Sequence, residues 1–172
     1  MKNIELLKML EGGDRRSIGR SNEVVALTLA EPGLFPLLLS GMLSESPLIR
    51  MRAADAVEKV TMSRPEYLCP YKHILINQVA AIPQAEIRWH LAQILPRLTL
   101  SKPERRAVVK ILLDFLDDQS KIVQTFSMQA LADIARHDPS FRTLARRVIE
   151  RHTKSGSPAV RSRGKRLLTH LR

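Results

Sequence analysis

The stretch Ser-Pro-Leu-Ile-Arg-Met-Arg-Ala-Ala-Asp-Ala-Val, residues 46–57, decides the fold of this chain. A capping serine and a proline precede a branched apolar residue and a basic residue, and a helical pattern rich in small side chains follows. A branched apolar residue, usually with a base next to it, returns after a short turn at Ile87-Arg88, Val123-Gln124 and Val160-Arg161. Counted from Ile49, successive openings are 38, 36 and 37 residues apart (87−49, 123−87, 160−123). A fixed period of this length indicates a solenoid of helical repeats.

Each opening is followed by apolar or small residues at positions +4, +7, +8 and +11, which lie on one face of an α-helix. These residues are Ala53, Ala56, Val57 and Val60; Leu91, Ile94, Leu95 and Leu98; Ser127, Ala130, Leu131 and Ile134; Gly164, Leu167, Leu168 and Leu171. We expect this face to be buried together with the opening residues Ile49, Ile87, Val123 and Val160. Its small side chains would let a neighbouring helix approach closely.

A first helix is predicted before each of these second helices. The predicted first helices are roughly residues 34–44, 70–82, 103–116 and 139–153, and polar turns are predicted at 44–47, 117–120 and 155–158. Pro96 should kink or end its helix. Residues 1–10 read as an amphipathic helix with Ile4, Leu7 and Leu10 on one side.

A weaker copy of the stripe lies near the start of the chain, at Ile18, Asn22, Val25, Ala26 and Leu29. It predicts an atypical capping repeat at about residues 1–31. The pattern as a whole predicts an all-α fold, an α-α superhelix of about five helical hairpins. We expect a single repeat domain over residues 1–172, ending in a hairpin at about 139–172.

Segments 46–57 and 157–161 resemble HEAT repeats, and the resemblance extends from about residue 15 to residue 171. It implies an ARM-type α-solenoid whose second helices line the concave side. It also implies that Arg50, Arg88 and Arg161 each pair with an acid from a turn, and the candidate acids are Glu45, Asp117 and Asp118. Gln124 stands where the family pattern expects an arginine. Such solenoids serve many unrelated functions, so the resemblance does not identify a partner.

The formal net charge of +11 is concentrated at one end of the chain. Residues 136–172 contain eleven Lys and Arg but only two acids, Asp138 and Glu150, and so carry +9. We expect one contiguous positive surface on the last hairpin, centred on Arg146, Arg147, Arg151, Arg163 and Arg166. Such a surface can bind nucleic acid by releasing counterions, or meet an acidic protein or an anionic lipid. It can also serve solubility alone.

Trp89 is the only tryptophan, and it stands two residues after Ile87, off the apolar stripe. Met51, Thr125 and Ser162 occupy the same position in the other repeats. We therefore expect Trp89 to be partly exposed on the second-helix surface, where a tryptophan is a candidate partner contact. The alternative is that its ring packs between neighbouring helices.

No arrangement of residues in the sequence points to catalysis. The five histidines form no i, i+4 pair, Cys69 is the single cysteine, and no glycine-rich phosphate loop is present. We expect no catalytic residue, no metal and no cofactor, and we interpret the chain as a non-enzymatic scaffold or adaptor. The expected partner is a protein, and the alternative is duplex nucleic acid bound by the last hairpin.

Location and assembly are less constrained by the sequence. No apolar run reaches the roughly 18 residues that a membrane span needs, and the N-terminus lacks the apolar core of a secretory signal. With one cysteine in the chain, a reduced, cytoplasmic setting is the expectation. The oligomeric state is left open.

Overall fold

The computed structural model describes residues 2–14 and 16–171, with side chains from residue 5 onward. The predicted positions Ile4 and Arg172 lie outside these described side chains. Within the described part of the chain the secondary structure is helical and contains no strand. The chain forms two compact units, Met1–Thr99 and Leu100–Arg172.

Six α-helices make up the first unit. They are α1 Lys2–Lys8, α2 Ser21–Ala30, α3 Phe35–Ser40, α4 Pro47–Ser63, α5 Lys72–Asn77 and α6 Ala85–Ile94. Helix α4 is its centre, because both α2 and α6 pack against it. In the predicted first helices at 34–44 and 70–82, short 3-10 segments replace much of the α-helix, so that α3 and α5 have only six residues each. Helix α6 ends before the 3-10 turn Leu95–Arg97, as the position of Pro96 predicts.

The second unit contains α7 Lys102–Phe115, α8 Lys121–His137, α9 Arg142–Ser155 and α10 Pro158–His170. Serine side chains cap the start of three second helices in the chain. Ser46, Ser120 and Ser157 accept hydrogen bonds from the backbone N–H of Ile49, Val123 and Val160, at 3.4 Å in each case. In these three repeats the sequence signature includes a helix cap, whereas α6 starts after Gln84 without a side-chain cap.

Most of the predicted stripe is buried. The side chains confirmed as core are Ala53, Ile87, Leu91, Val123, Ala130, Val160 and Leu167. Ile49 and Leu168 are only half-buried. Ser127, at the first stripe position of α8, is fully buried, and its hydroxyl has no hydrogen-bond partner. The small side chain suits the close packing, although its hydroxyl contributes no hydrogen bond.

The apolar stripe predicted for the N-terminal cap is wrong. Ile18 and Leu29 are 41% and 36% exposed, Asn22 and Ala26 are also exposed, and Val25 is half-buried. Helix α2 instead buries Ser21, Val24 and Thr28. The reason is hydrogen bonding. Ser21 donates to Asp55 Oδ2 at 2.5 Å, and Thr28 donates to the carbonyl oxygen of Val24 at 2.8 Å, which makes a polar face compatible with burial.

Arg52 of α4 organises the segment that joins α1 to α2. The residue is 1% exposed, and its guanidinium donates to four backbone carbonyls. Nε reaches Ser17 at 3.0 Å, Nη1 reaches Leu10 at 2.9 Å and Gly12 at 2.6 Å, and Nη2 reaches Asp14 at 2.9 Å. Carbonyl dipoles compensate the buried charge, and the guanidinium in turn supplies donors to this irregular backbone, in which the Asp14 carbonyl also accepts from the Ser17 N–H at 3.0 Å.

Two repeats close their turns with the same backbone contact. Arg50 Nη1 donates to the carbonyl of Ser44 at 2.8 Å, and Gln124 Nε2 donates to the carbonyl of Asp118 at 2.7 Å. In both cases the acceptor lies six residues earlier. Arg50 also donates to Gln84 Oε1, so it links the starts of α4 and α6 through an amide. The predicted pairing of Arg50 with the Glu45 carboxylate is wrong, because Arg50 contacts the backbone oxygen of that residue.

The predicted pairing of Arg161 with an acid from a turn is wrong. Arg161 is exposed and forms no ion pair with any described residue. Arg88 is half-buried in α6. Gln124, where the resemblance leads one to expect an arginine, closes the turn with an amide donor and without a charge.

Enlarging a buried alanine should destabilise the fold. We expect Ala130→Leu, at a position 2% exposed, to lower the free energy of unfolding by about 1–3 kcal/mol through overpacking. Ala26→Leu on the exposed face of α2 is the matched control and should change it little. Urea unfolding followed by circular dichroism measures both. Equal midpoints for the two variants would show that Ala130 is not at a tight contact.

Gly19 should be essential to the Arg52 site. Its φ is +55°, and a Cβ there would lie 2.8 Å from Arg52 Cζ. We expect Gly19→Ala to cost about 1–3 kcal/mol, from the left-handed backbone and the displaced guanidinium. Gly33→Ala is the control, since a Cβ there meets nothing within 4 Å. Thermal unfolding of both variants is the measurement, and a harmless Gly19→Ala would contradict the close approach.

Candidate functional site

The last hairpin is held together by a close contact between α9 and α10. Helix α9 buries Ala145, Val148 and Ile149, and α10 buries Val160, Gly164 and Leu167. A Cβ at Gly164 would lie 1.9 Å from Thr153 Oγ1, so only glycine permits this approach. With these faces buried, the other faces of the hairpin carry its charge.

The exposed faces of the hairpin are strongly basic. Exposed Lys and Arg residues are Arg142, Arg146, Arg147, Arg151 and Lys154 on α9, and Arg161, Lys165 and Arg166 on α10. Arg146 Nε lies 2.9 Å from Glu150 Oε1, and both side chains are largely exposed, so this pair contributes only about 0–1 kcal/mol. The other seven form no ion pair with any residue between 16 and 171. Four of the five predicted central residues, Arg146, Arg147, Arg151 and Arg166, are thus exposed.

Arg163, the fifth predicted central residue, lies elsewhere. It is half-buried, donates to Gln129 Oε1 of α8 at 3.0 Å, and stands over the Phe126 ring with 6.0 Å from Cζ to the ring centroid. A cation–π contact and a hydrogen bond to a neutral amide hold it against α8. Arg163 therefore secures the hairpin to α8, and the prediction that it centres the basic surface is wrong.

A shallow groove brings part of the basic surface together. Its volume is about 340 Å³, and it runs along the first half of α9 to the end of α10. It is lined by Arg142, Thr143, Arg146, Arg147, Glu150 and Leu171. Three guanidinium groups and the carboxylate of Glu150 therefore line one groove.

The sequence analysis missed a second basic row, on α7. Lys102, Arg106 and Lys110 are exposed and four residues apart, so they lie on one helical face. A groove of about 310 Å³ places Lys102 and Arg106 beside Ser140 and Phe141, which directly precede α9. The spacing of four residues is visible in the sequence, but Lys102, Arg106 and Lys110 lie outside residues 136–172, to which the charge excess was assigned.

Asp138 lines the same groove and is already engaged. It accepts hydrogen bonds from Ser140 Oγ and from Arg105 Nη1, both at 2.6 Å. These donors, with Ser140 first and Arg105 second, lower the pKa of Asp138 to about 2. The carboxylate therefore stays ionised at neutral pH, but its charge is matched by Arg105. One of the two acids in residues 136–172 thus does not offset the exposed bases.

Trp89 is half-buried in α6, which confirms that it is partly exposed. Its ring centroid lies 5.7 Å from that of His90. Burial lowers the pKa of His90, whose Nδ1 has no hydrogen-bond partner, so the imidazole next to Trp89 is held neutral. A groove of about 480 Å³ lies at the starts of α4 and α6 and is lined by Met51 and Glu86, among others, but not by Trp89.

Two further properties of the described residues bear on function. None of their helices is both long and apolar enough to cross a bilayer. Nowhere among them do three His, Cys, Asp or Glu side chains group as ligands for a metal ion.

Comparison with known proteins supports the helical fold. The chain is similar to the crystal structure of an engineered protein, Northeast Structural Genomics Consortium target OR366, with a TM-score of 0.69 and 14% identity. The match covers 98% of this chain and 80% of that chain. A second engineered protein, target OR329, matches with a TM-score of 0.44 and 15% identity over 99% of this chain and 96% of its own. No protein-family model and no curated protein matches the sequence.

Trp89 fluorescence should report its exposure. Because the indole is half-buried, we expect quenching by acrylamide or iodide at a rate between those of free tryptophan and of a core tryptophan. With a single tryptophan in the chain, the signal needs no reference variant. Complete protection from iodide in the folded protein would exclude Trp89 as a surface contact.

Proposed function

We propose that this protein is a HEAT-like α-solenoid of about five hairpins that acts as a non-enzymatic binding scaffold or adaptor in the cytoplasm. The repeat period, the serine-capped second helices and the buried stripes support this interpretation of the fold. The function is proposed from the surface, where exposed basic side chains on α9 and α10 are suited to binding an anionic partner.

The observation that carries the proposal is the set of exposed basic side chains on α9 and α10 that lack ion-pair partners among the described residues. Seven such charges on two adjacent helices repel one another. An acidic partner would relieve this repulsion and gain favourable long-range attraction during encounter. The basic hairpin is therefore the proposed contact, with Arg147 and Arg151 on α9 and Arg166 on α10 as its central residues.

An acidic protein is the first candidate partner. Charge complementarity sets orientation and association rate, and a scaffold would use both to hold its partner. Duplex nucleic acid is the second candidate. The specific observation in its favour is the repeated spacing of four between Arg142 and Arg146, and between Arg147 and Arg151, which lines up successive cations along one helix.

Reversing two charges on the hairpin should weaken partner binding without unfolding the protein. We expect Arg147→Glu combined with Arg166→Glu to lower the affinity for an acidic probe at least tenfold, because both side chains are exposed and unpaired. The measurement is anisotropy of a labelled polyglutamate peptide and of a labelled DNA duplex at low salt, with circular dichroism to check helicity. Arg16→Glu combined with Arg64→Glu, on exposed residues of the first unit, is the equal-charge control.

Two results would contradict the proposed function. One is that neither probe binds the unmodified protein at low salt, where electrostatic attraction is largest. The other is that the control variant weakens binding as much as the hairpin variant does, since net charge alone would then explain the effect.

A further inference from the structure

We infer that α7 and α9 together form a binding surface for the phosphate backbone of a nucleic-acid duplex. This inference rests on the proposed function, in that it takes the basic surface to be a binding site. It goes further by adding α7, which lies outside residues 136–172, and by naming the partner. We call the exposed residues Lys102, Arg106, Lys110, Arg142, Arg146 and Arg147 the two-helix basic surface.

The first step is the row on α7. Residues four apart are separated by about 6 Å along a helix, so Lys102, Arg106 and Lys110 place three cations along roughly 12 Å. None of the three forms an ion pair with a described residue. The neighbouring Arg105 does, with Asp138, and Glu104 lies on a different face, where its carboxylate caps the helix through the N–H of Ser101. The row is therefore a face of unneutralised charge.

The second step is the contact between the start of α7 and the segment that leads into α9. The Arg105–Asp138 ion pair joins α7 to the residues that lead into α9. The groove lined by Lys102, Arg106 and Phe141 lies at this junction. A second groove lies along the first half of α9, where Arg142, Arg146 and Arg147 line it together with Glu150, which pairs with Arg146. Cations thus line both grooves, one after the other.

The third step distinguishes nucleic acid from protein. Protein interfaces are centred on apolar or aromatic anchors, whereas nucleic-acid interfaces are polar and positively charged. The large apolar side chains that are exposed in the described residues are Ile18, Leu27, Leu29, Leu43, Met62 and Ile122. None of them lies on α7 or α9. The two-helix basic surface therefore has charge without an apolar anchor, which fits a phosphate backbone.

The fourth step distinguishes duplex from single strand. Proteins that bind single strands stack bases on exposed aromatic rings. The aromatic residue in these grooves is Phe141, and it is half-buried. A duplex needs no stacking surface, and each of its strands presents one phosphate per roughly 3.4 Å of helix axis. Two rows of cations suit this regular array, and binding should be independent of base sequence.

The test is a titration of labelled duplexes with the full chain. If all six residues contact phosphates, affinity should fall about 1,000-fold between about 50 mM and about 200 mM salt, with a log–log slope near −5. Lys102→Glu combined with Arg106→Glu should reduce the magnitude of that slope by about 2 and weaken binding at least tenfold at low salt. Both positions are exposed near the start of α7, where acidic side chains favour the helix, so the variant should fold.

Controls separate the sources of any binding. Arg16→Glu combined with Arg64→Glu changes the net charge equally and should leave the duplex titration nearly unchanged. DNA and RNA duplexes of one sequence are compared with the corresponding single strand and with polyglutamate. Stronger binding of either duplex than of the single strand and the peptide supports the inference, and the two duplex arms tell the sources apart.

The outcomes distinguish this inference from the proposed function. If polyglutamate binds and depends on Arg147 and Arg166 but duplexes do not bind, the scaffold stands and the duplex inference fails. If duplexes bind and the α7 variant is unaffected, the hairpin is the site and the two-helix basic surface is wrong. If no anion binds at low salt, both fail.

Discussion

The first unit depends on one buried cation. Arg52 takes the place of an apolar residue on α4 and collects four carbonyls from a segment that forms no helix. Without it, the carbonyl of the buried Leu10 would lose this donor, at a cost of about 1–3 kcal/mol if it stayed buried and unpaired. The positive φ angles of Gly12, Gly13 and Gly19 let this backbone turn around the guanidinium. A single side chain thus ties the segment between α1 and α2 to α4.

A second polar contact of α4 explains why the stripe predicted for α2 is wrong. Periodicity placed Ile18 and Leu29 on the buried side of α2, because apolar residues normally mark it. The helix is rotated instead so that Ser21 reaches Asp55, which also receives Lys59 at 2.7 Å. A polar network of this kind competes with apolar burial, and it depends on residues 34 positions apart. No local pattern contains that information.

The second helices were predictable because their signal is local and redundant. Capping serine, branched opening residue and stripe all agree, so Val123 and Val160 could be placed in the core from the sequence alone. The first helices of the first unit were less predictable. Helix α5 spans only Lys72–Asn77, because prolines and 3-10 turns divide the predicted segment 70–82. For most candidate site residues, the exposure of the side chain could be predicted from its position on the helix. The exposure of Arg163 could not, because its partners Gln129 and Phe126 belong to another helix.

The way the turns close has a consequence for how the protein responds to its ionic surroundings. Arg50 and Gln124 reach the same carbonyl position, one with a charged group and one with a neutral amide, and neither uses a carboxylate. Dipole contacts of this kind are screened little by salt, in contrast to attraction between exposed ions. High salt would therefore weaken the repulsion among the exposed basic side chains of α9 and α10 while leaving these two turns closed.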